Sequence, residues 1–298
     1  MSYCYLPFSI LNPRLQFRVT YFQTVSSIVS PSEKSGVVGF KPTRGLIPSK
    51  GIIPVSREQD VVGPIARTVK DISLILDAIT SKQLEKGSYL GSFSGTDLHS
   101  VRIGVIRDPS QQVDKPKLDV FKGTLDLLKS AGAVVVDEVQ LAGLEEYDNL
   151  PKRLKTLVLD TEFKVSMETY LQSLAVNPRR LNSLEHLIDA IKDDPAEEYP
   201  SRNVAIMERA LATSVNSPSY QEMLVKQEYY ANAGGLEGAM NRHECTVLIS
   251  PAGSLAFQNF AAIGGNPAIS VPMGFYPEDT KIKRDKQSGF VTVAPGIP

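Results

Sequence analysis

Residues 27–68 read SIVSPSEKSGVVGFKPTRGLIPSKGIIPVSREQDVVGPIART, and Ser27 opens the stretch at a loop start. A serine hydroxyl attacks a carbonyl only when a base takes its proton and donors receive the charge that develops on oxygen. Lys41 lies close to Ser27 in the stretch, and desolvation can lower a lysine pKa until the group accepts a proton. Asp60 and Arg67 are charged groups near its end. For such residues, fixing a loop, capping a helix or forming an ion pair is commoner than catalysis. Gly36, Gly39, Pro42, Gly45, Gly51 and Pro54 shape turns.

Other arrangements that could do chemistry are poorly represented. His99, His186 and His243 have no metal-ligand spacing among themselves or with the cysteines. His186 follows Glu185 in a helical pattern and reads as a surface or core histidine. His243-Glu244-Cys245 is suggestive only as letters. There is no G-x-S-x-G elbow and no phosphate-binding P-loop. Cys4 and Cys245 cannot by themselves form a disulfide framework or a metal site.

The elements that must position Ser27 follow from periodicity. VVGF, GLIP and GIIPVS are short β-branched runs between turn residues and read as strands. Thr68 followed by Asp71 resembles a capping box. Val69, Ile72, Ile75, Leu76 and Ile79 then repeat at helical spacing, predicting a helix over about 69–80. Residues 87–100 have loop composition. VRIGVI (101–106), an amphipathic stretch from Asp114 to Ala131 and VVV (134–136) form a βαβ unit, with Gly132 placed to end the helix. Residues 150–245 are mainly helical, with one stripe through Leu181, Leu184, Leu187, Ile188 and Ile191 and another through Val204, Met207, Ala210 and Leu211. VLIS (247–250) and AISV (268–271) return to strand character. The whole predicts one α/β domain with a central mixed sheet flanked by helices.

Composition limits the partners. The 298 residues hold 32 basic and 33 acidic side chains, a formal charge of −1. No face-wide basic excess argues for nucleic acid. The lysine-rich Lys281–Lys286 run, which contains Asp285, reads as a solvated loop. No run approaches the ~18 apolar residues of a spanning helix. Pro7 and Pro13 interrupt an N-terminus without a charged leader or cleavage site, so the cytoplasm is the default address.

Taken together, Ser27, GVVGFKPT, the G-x-x-P turn and D-x-x-G-P-I-A-R-T resemble the amidase-signature family, serine hydrolases of carboxamides. LNSLEHLIDAI, SRNVAIMERALATS, VLISP and GGNPAISVPMG agree with its fungal and plant acetamidase-like branch. The resemblance covers residues 27–298 as an incomplete amidase-signature domain, with residues 1–26 as a segment that does not match. It implies hydrolysis of an amide C–N bond through an acyl-enzyme on Ser27, a small amide as substrate, and neither metal nor organic cofactor. It also implies that backbone N–H groups of Thr24, Val25, Ser26 and Ser27 form the oxyanion hole.

The family pattern has aspartate or glycine and then glycine where Val25 and Ser26 stand, and glycine can turn such a loop through φ > 0 at little cost. The family's cis-serine falls in the region of Tyr3, where MSYCYLP stands, and its lysine falls before Met1. The resemblance therefore implies a truncated copy of low or no activity. A non-catalytic amidase-like protein and an amidotransferase-type subunit working on charged tRNA are the alternatives, the helical segment 181–213 speaking against the second. An incomplete domain is also expected to expose apolar sheet edge and to be poorly soluble or partly unfolded.

Overall fold

A computed structural model describes residues 19–80, 88–92, 97–285, 289 and 291–298. The first layer comprises β1 (Val19–Gln23), α1 (Val29–Ser35), β2 (Val38–Lys41), β3 (Val61–Ala66), α2 (Val69–Ile79) and the short α3 (Ser88–Gly91). The parallel unit follows: β4 (Arg102–Ile106), α4 (Lys115–Ser130) and β5 (Val134–Val139). The helical stretch contains α5 (Leu144–Asn149), α6 (Lys152–Ser173), α7 (Leu184–Asp193), α8 (Ala205–Leu211), α9 (Pro218–Ala231) and α10 (Leu236–His243). The chain closes with β6 (Val247–Ile249), α11 (Leu255–Ile263), β7 (Ala268–Ser270) and a hairpin of β8 (Lys283–Arg284) and β9 (Val291–Val293).

The α/β architecture is as expected, with strands of both senses held in separate sheets. One sheet has the order β1-β3-β2-β7 and is antiparallel throughout. The other has the order β5-β4-β6 and is parallel. Its β4-α4-β5 crossover is the predicted βαβ unit, and Gly132, at φ +98, ends α4 as its position suggested.

Antiparallel pairing of β1 with β3 runs the full length of β1, from Val19↔Ile65 to Gln23↔Val61. β1 thus lies inside the segment that shows no sustained period in sequence. Pairing of β2 with β3 stops after Gly39↔Ile65. The cause is the next residue of β3, Pro64, which has no N–H to give the ladder. Beyond it, a Cβ on Gly63 would stand 2.1 Å from the Phe40 carbonyl oxygen, so only glycine admits the crossing of the two chains.

α2 begins at Thr68, whose Oγ1 accepts the Asp71 N–H at 3.1 Å. Its buried Ile72, Ile75 and Leu76 pack with Val38, Ile47 and Ala66. A second core joins Tyr147, Tyr230 and Phe260, with the Tyr147–Tyr230 and Tyr230–Phe260 ring pairs edge-to-face at 5.6 and 5.5 Å. Such contacts add about 0.5–1.5 kcal/mol each beyond the area they bury. The two predicted leucine-rich stripes meet in a third core around Leu184, Ile188, Val204 and Ala210. There the buried Asp160 of α6 takes Arg209 of α8 bidentately, at 2.6 and 2.8 Å.

Several stretches depart from expectation: α1 forms where no helix is expected, and α3 lies within residues read as loop. GLIP and GIIPVS are turns, and the strand forms instead from VVGPIA. In the Lys281–Lys286 run, Lys283 and Arg284 form β8, and Lys283 pairs with Asp114 at 3.0 Å. Among the described residues no helix is long and apolar enough to cross a membrane.

Candidate active site

The chain leaves β1 at Gln23 and enters α1 at Val29, and the turn between them carries Ser27. A helix start leaves backbone N–H groups without partners inside the helix. Ile28, at the capping position, has no side-chain oxygen to offer them. Gln23 supplies it from the strand: its Oε1 accepts the N–H groups of Ile28 and Val29 at 2.7 and 3.0 Å, while its Nε2 donates to the Val25 carbonyl at 2.7 Å. Gln23 is 1% exposed, so these bonds form away from water.

The other edge of the turn is held by Asp60. The Thr24 hydroxyl donates to Asp60 Oδ1 at 2.8 Å, and Asp60 Oδ2 accepts the N–H groups of Val55 and Ser56 at 2.8 and 2.9 Å. Burial raises the Asp60 pKa despite these three bonds, each of which favours the carboxylate. Behind it lies Ser56, fully buried, whose Oγ accepts from the Glu58 and Gln59 N–H groups and donates to Glu162 of α6. Burial raises the Glu162 pKa as well; the Ser56 bond opposes this, Glu58 and Asp60 add to it, and Arg44 opposes it.

Thr24, Val25, Ser26 and Ser27 therefore lie on one turn clamped at both ends. Among the described residues, the N–H groups of Val25, Ser26 and Ser27 and the Ser27 hydroxyl form no hydrogen bond. None of the four residues takes a positive φ. The turn closes in ordinary backbone conformations, and β-branched Val25 sits in it without the strain expected of a glycine-requiring loop.

Lys41 ends β2 opposite Ala268 and is fully buried. Its Nζ donates to the Asn266 carbonyl at 2.7 Å. Burial, with Arg44 second, lowers its pKa from 10.5 to about 8. Arg67 is exposed at the end of β3, and the helix cap beside it belongs to Thr68. The region of Tyr3 lies outside the described residues.

The histidines do not converge. His99 pairs with Asp97 at the surface, and His186 Nδ1 accepts the Asn182 N–H. His243-Glu244-Cys245 is the end of α10: Glu244 takes φ +52, Arg102 binds the His243 and Glu244 carbonyls, and Cys245 is buried with its thiol pKa raised by desolvation. Among the described residues no group of three or more His, Cys, Asp or Glu side chains could hold a metal ion. Gln23, Ser56 and Glu162 escaped the sequence reading. Only the Ser56-x-x-x-Asp60 spacing, a turn closed by side-chain oxygens, left a local signal.

A family model described as Amidase matches residues 23–262. A "Putative amidase" of Arthroderma benhamiae is 32% identical over 299 residues, covering 95% of this chain and 50% of that protein. A glutamyl-tRNA(Gln) amidotransferase component of Methanothermobacter thermautotrophicus is 32% identical over only 118 residues, covering 38% of this chain and 26% of that protein. The crystal structure of peptide amidase from Stenotrophomonas maltophilia superimposes with a TM-score of 0.72 at 26% identity, covering 93% of this chain and 58% of that one. The chain thus spans about half the length of the curated relative it matches along most of its own, and 58% of the solved structure. With the match beginning at Gln23, the residue that clamps the Ser27 turn, the chain belongs to the amidase family.

Proposed function

We propose that Ser27 is the acyl-accepting nucleophile of a carboxamide hydrolase, and that N–H groups of the turn Thr24–Ser27 receive the oxyanion. The observation that carries this reading is the clamped turn. Gln23 and Asp60 consume the hydrogen-bonding capacity on either side, and the donors between them keep no internal partner among the described residues. Donors fixed before the reaction need no reorganisation when charge appears, and losing one such donor costs about 10²–10³ in rate.

In this reading the Ser27 oxygen bonds to the substrate carbonyl carbon as its proton passes to a base. The tetrahedral intermediate expels the amine, which leaves protonated, and water then releases the acid and restores the hydroxyl. The small-amide substrate rests on the family. Lys41 is not free to act as the base, because its amine donates to the Asn266 carbonyl at 2.7 Å.

A fluorophosphonate probe followed by peptide mass mapping tests the assignment. Labelling of Ser27 that disappears in Ser27→Ala, with slow hydrolysis of simple aliphatic or aryl amides, supports the reading. An unlabelled Ser27 in folded protein favours the alternative, an amidase-like fold without turnover.

A further inference from the structure

The clamp does not end at Asp60. Ser56 is 0% exposed and its oxygen is fully used, accepting the Glu58 and Gln59 N–H groups at 3.2 Å each and donating to Glu162. Glu162 belongs to α6, which packs against α7, α8 and α9 and is braced to α8 through Asp160–Arg209 and through Lys164 on the Leu211 and Thr213 carbonyls. A carboxylate from the helical stretch therefore reaches into the turn that holds the nucleophile loop, 106 residues away in sequence.

We propose that Glu162 is a positioning residue for the Ser27 turn, acting through Ser56 and Asp60 on Thr24, so that α6 and the turn behave as one mechanical unit. The functional half of this proposal rests on the assignment of Ser27 as nucleophile; the mechanical half does not. A simple tie between α6 and residues 55–60 would stabilise both and leave the turn indifferent. What distinguishes the proposal is the unbroken path: Glu162 holds Ser56, the 55–60 turn presents the Val55 and Ser56 N–H groups to Asp60 Oδ2, and Asp60 Oδ1 holds Thr24.

The groups that face the Glu162 carboxyl are Glu58 and Asp60 of the turn, Arg44 of the loop after β2, and Tyr220 at the start of α9. Burial raises the pKa of this carboxyl, and of the charges around it Glu58 and Asp60 add to the shift while Arg44 opposes it. When protonated, its carbonyl oxygen still accepts the Ser56 hydroxyl, so Glu162→Gln should preserve the path that Glu162→Ala cuts.

The test is hydrogen–deuterium exchange of the full chain as wild type, Glu162→Ala and Glu162→Gln, together with fluorophosphonate kinetics. In Glu162→Ala, the hydrogen-bonded amides of Ile28, Val55, Ser56, Glu58 and Gln59 should exchange about tenfold faster or more, the effect of losing a hydrogen bond to a charged group. Those of α4 and α7 should not change. Glu162→Gln should return the five amides to near wild-type rates. In Glu162→Ala the maximal rate of Ser27 labelling should fall about tenfold with the half-saturating probe concentration unchanged. Unchanged exchange at Ile28, equal acceleration throughout the chain, or no rescue by glutamine would each overturn the proposal. If wild-type Ser27 takes no label, the nucleophile assignment fails while the exchange data still decide the coupling.

Discussion

Thr24 and Asp60 are joined side chain to side chain at 2.8 Å across 36 residues, one step beyond the last paired residues of β1 and β3, Gln23 and Val61. The bond closes the open end of that ladder at the place where the chain departs for Ser27. Asp60→Ala removes the partner of the Thr24 hydroxyl and strands the Val55 and Ser56 N–H groups. The cost should be about 2–4 kcal/mol, because each buried donor left unsatisfied costs about 1–3 kcal/mol and water recovers part of it. Urea unfolding of Asp60→Ala and Thr24→Val measures this, the second variant costing about 1 kcal/mol. Equal losses in the two would mean that the backbone bonds of Asp60 contribute nothing.

Gln23 makes the complementary prediction at the other end of the turn. Gln23→Leu keeps the volume but leaves the Ile28 and Val29 N–H groups and the Val25 carbonyl without their partner. A loss of about 2–4 kcal/mol is expected, with faster amide exchange confined to residues 28–32. Gln23→Glu retains an acceptor for the two N–H groups and should recover most of the helix start. An unaltered α1 in Gln23→Leu would show that packing on β2, where Ser32 lies against Gly39, suffices to form it.

How far the fold could be read depended on whether its cause was local. α2 and α4 were visible because their apolar residues recur with helical period and their ends carry Thr68 and Gly132. α1 was not: Ser30, Pro31 and Ser32 are turn residues by type, and the helix owes its start to a glutamine on a neighbouring strand. β3 was hidden by its own Gly63-Pro64, and β1 depends on pairing with a strand far along the chain. The position of Ser27 could be read from its motif. The side chains that hold it, Gln23, Ser56 and Glu162, act through contacts that no short window of sequence contains.

Lys41 should make stability depend on pH in the alkaline range. Its folded-state pKa, about 8, lies below the ordinary 10.5. Below pH 8 the amine is charged in both states, and its burial costs the folded state roughly 3 kcal/mol. Between pH 8 and 10.5 the folded amine has released its proton while the unfolded one still binds it, so unfolding takes up a proton and stability rises with pH. Above 10.5 the dependence ends. The unfolding free energy of wild type relative to Lys41→Met, measured at pH 7, 8.5 and 10, should climb through this series. A flat difference would place the lysine amine in contact with water.

Among the described residues, β7 is hydrogen-bonded to β2 along one edge and its other edge has no partner strand. From this strand onward, every second residue is apolar and exposed: Ile269, Val271, Met273 and Phe275, the last 67% accessible. A row of apolar side chains beside unpaired strand backbone invites pairing with another chain, and charged residues on an edge suppress it. The chain should therefore self-associate as concentration rises, with sedimentation velocity showing species heavier than the 32.6 kDa monomer. Val271→Lys combined with Phe275→Ser should shift the distribution toward monomer without changing the unfolding midpoint, because neither side chain contributes to a buried core. A wild-type chain that sediments as a single monomer at every concentration would mean that this edge is covered in solution.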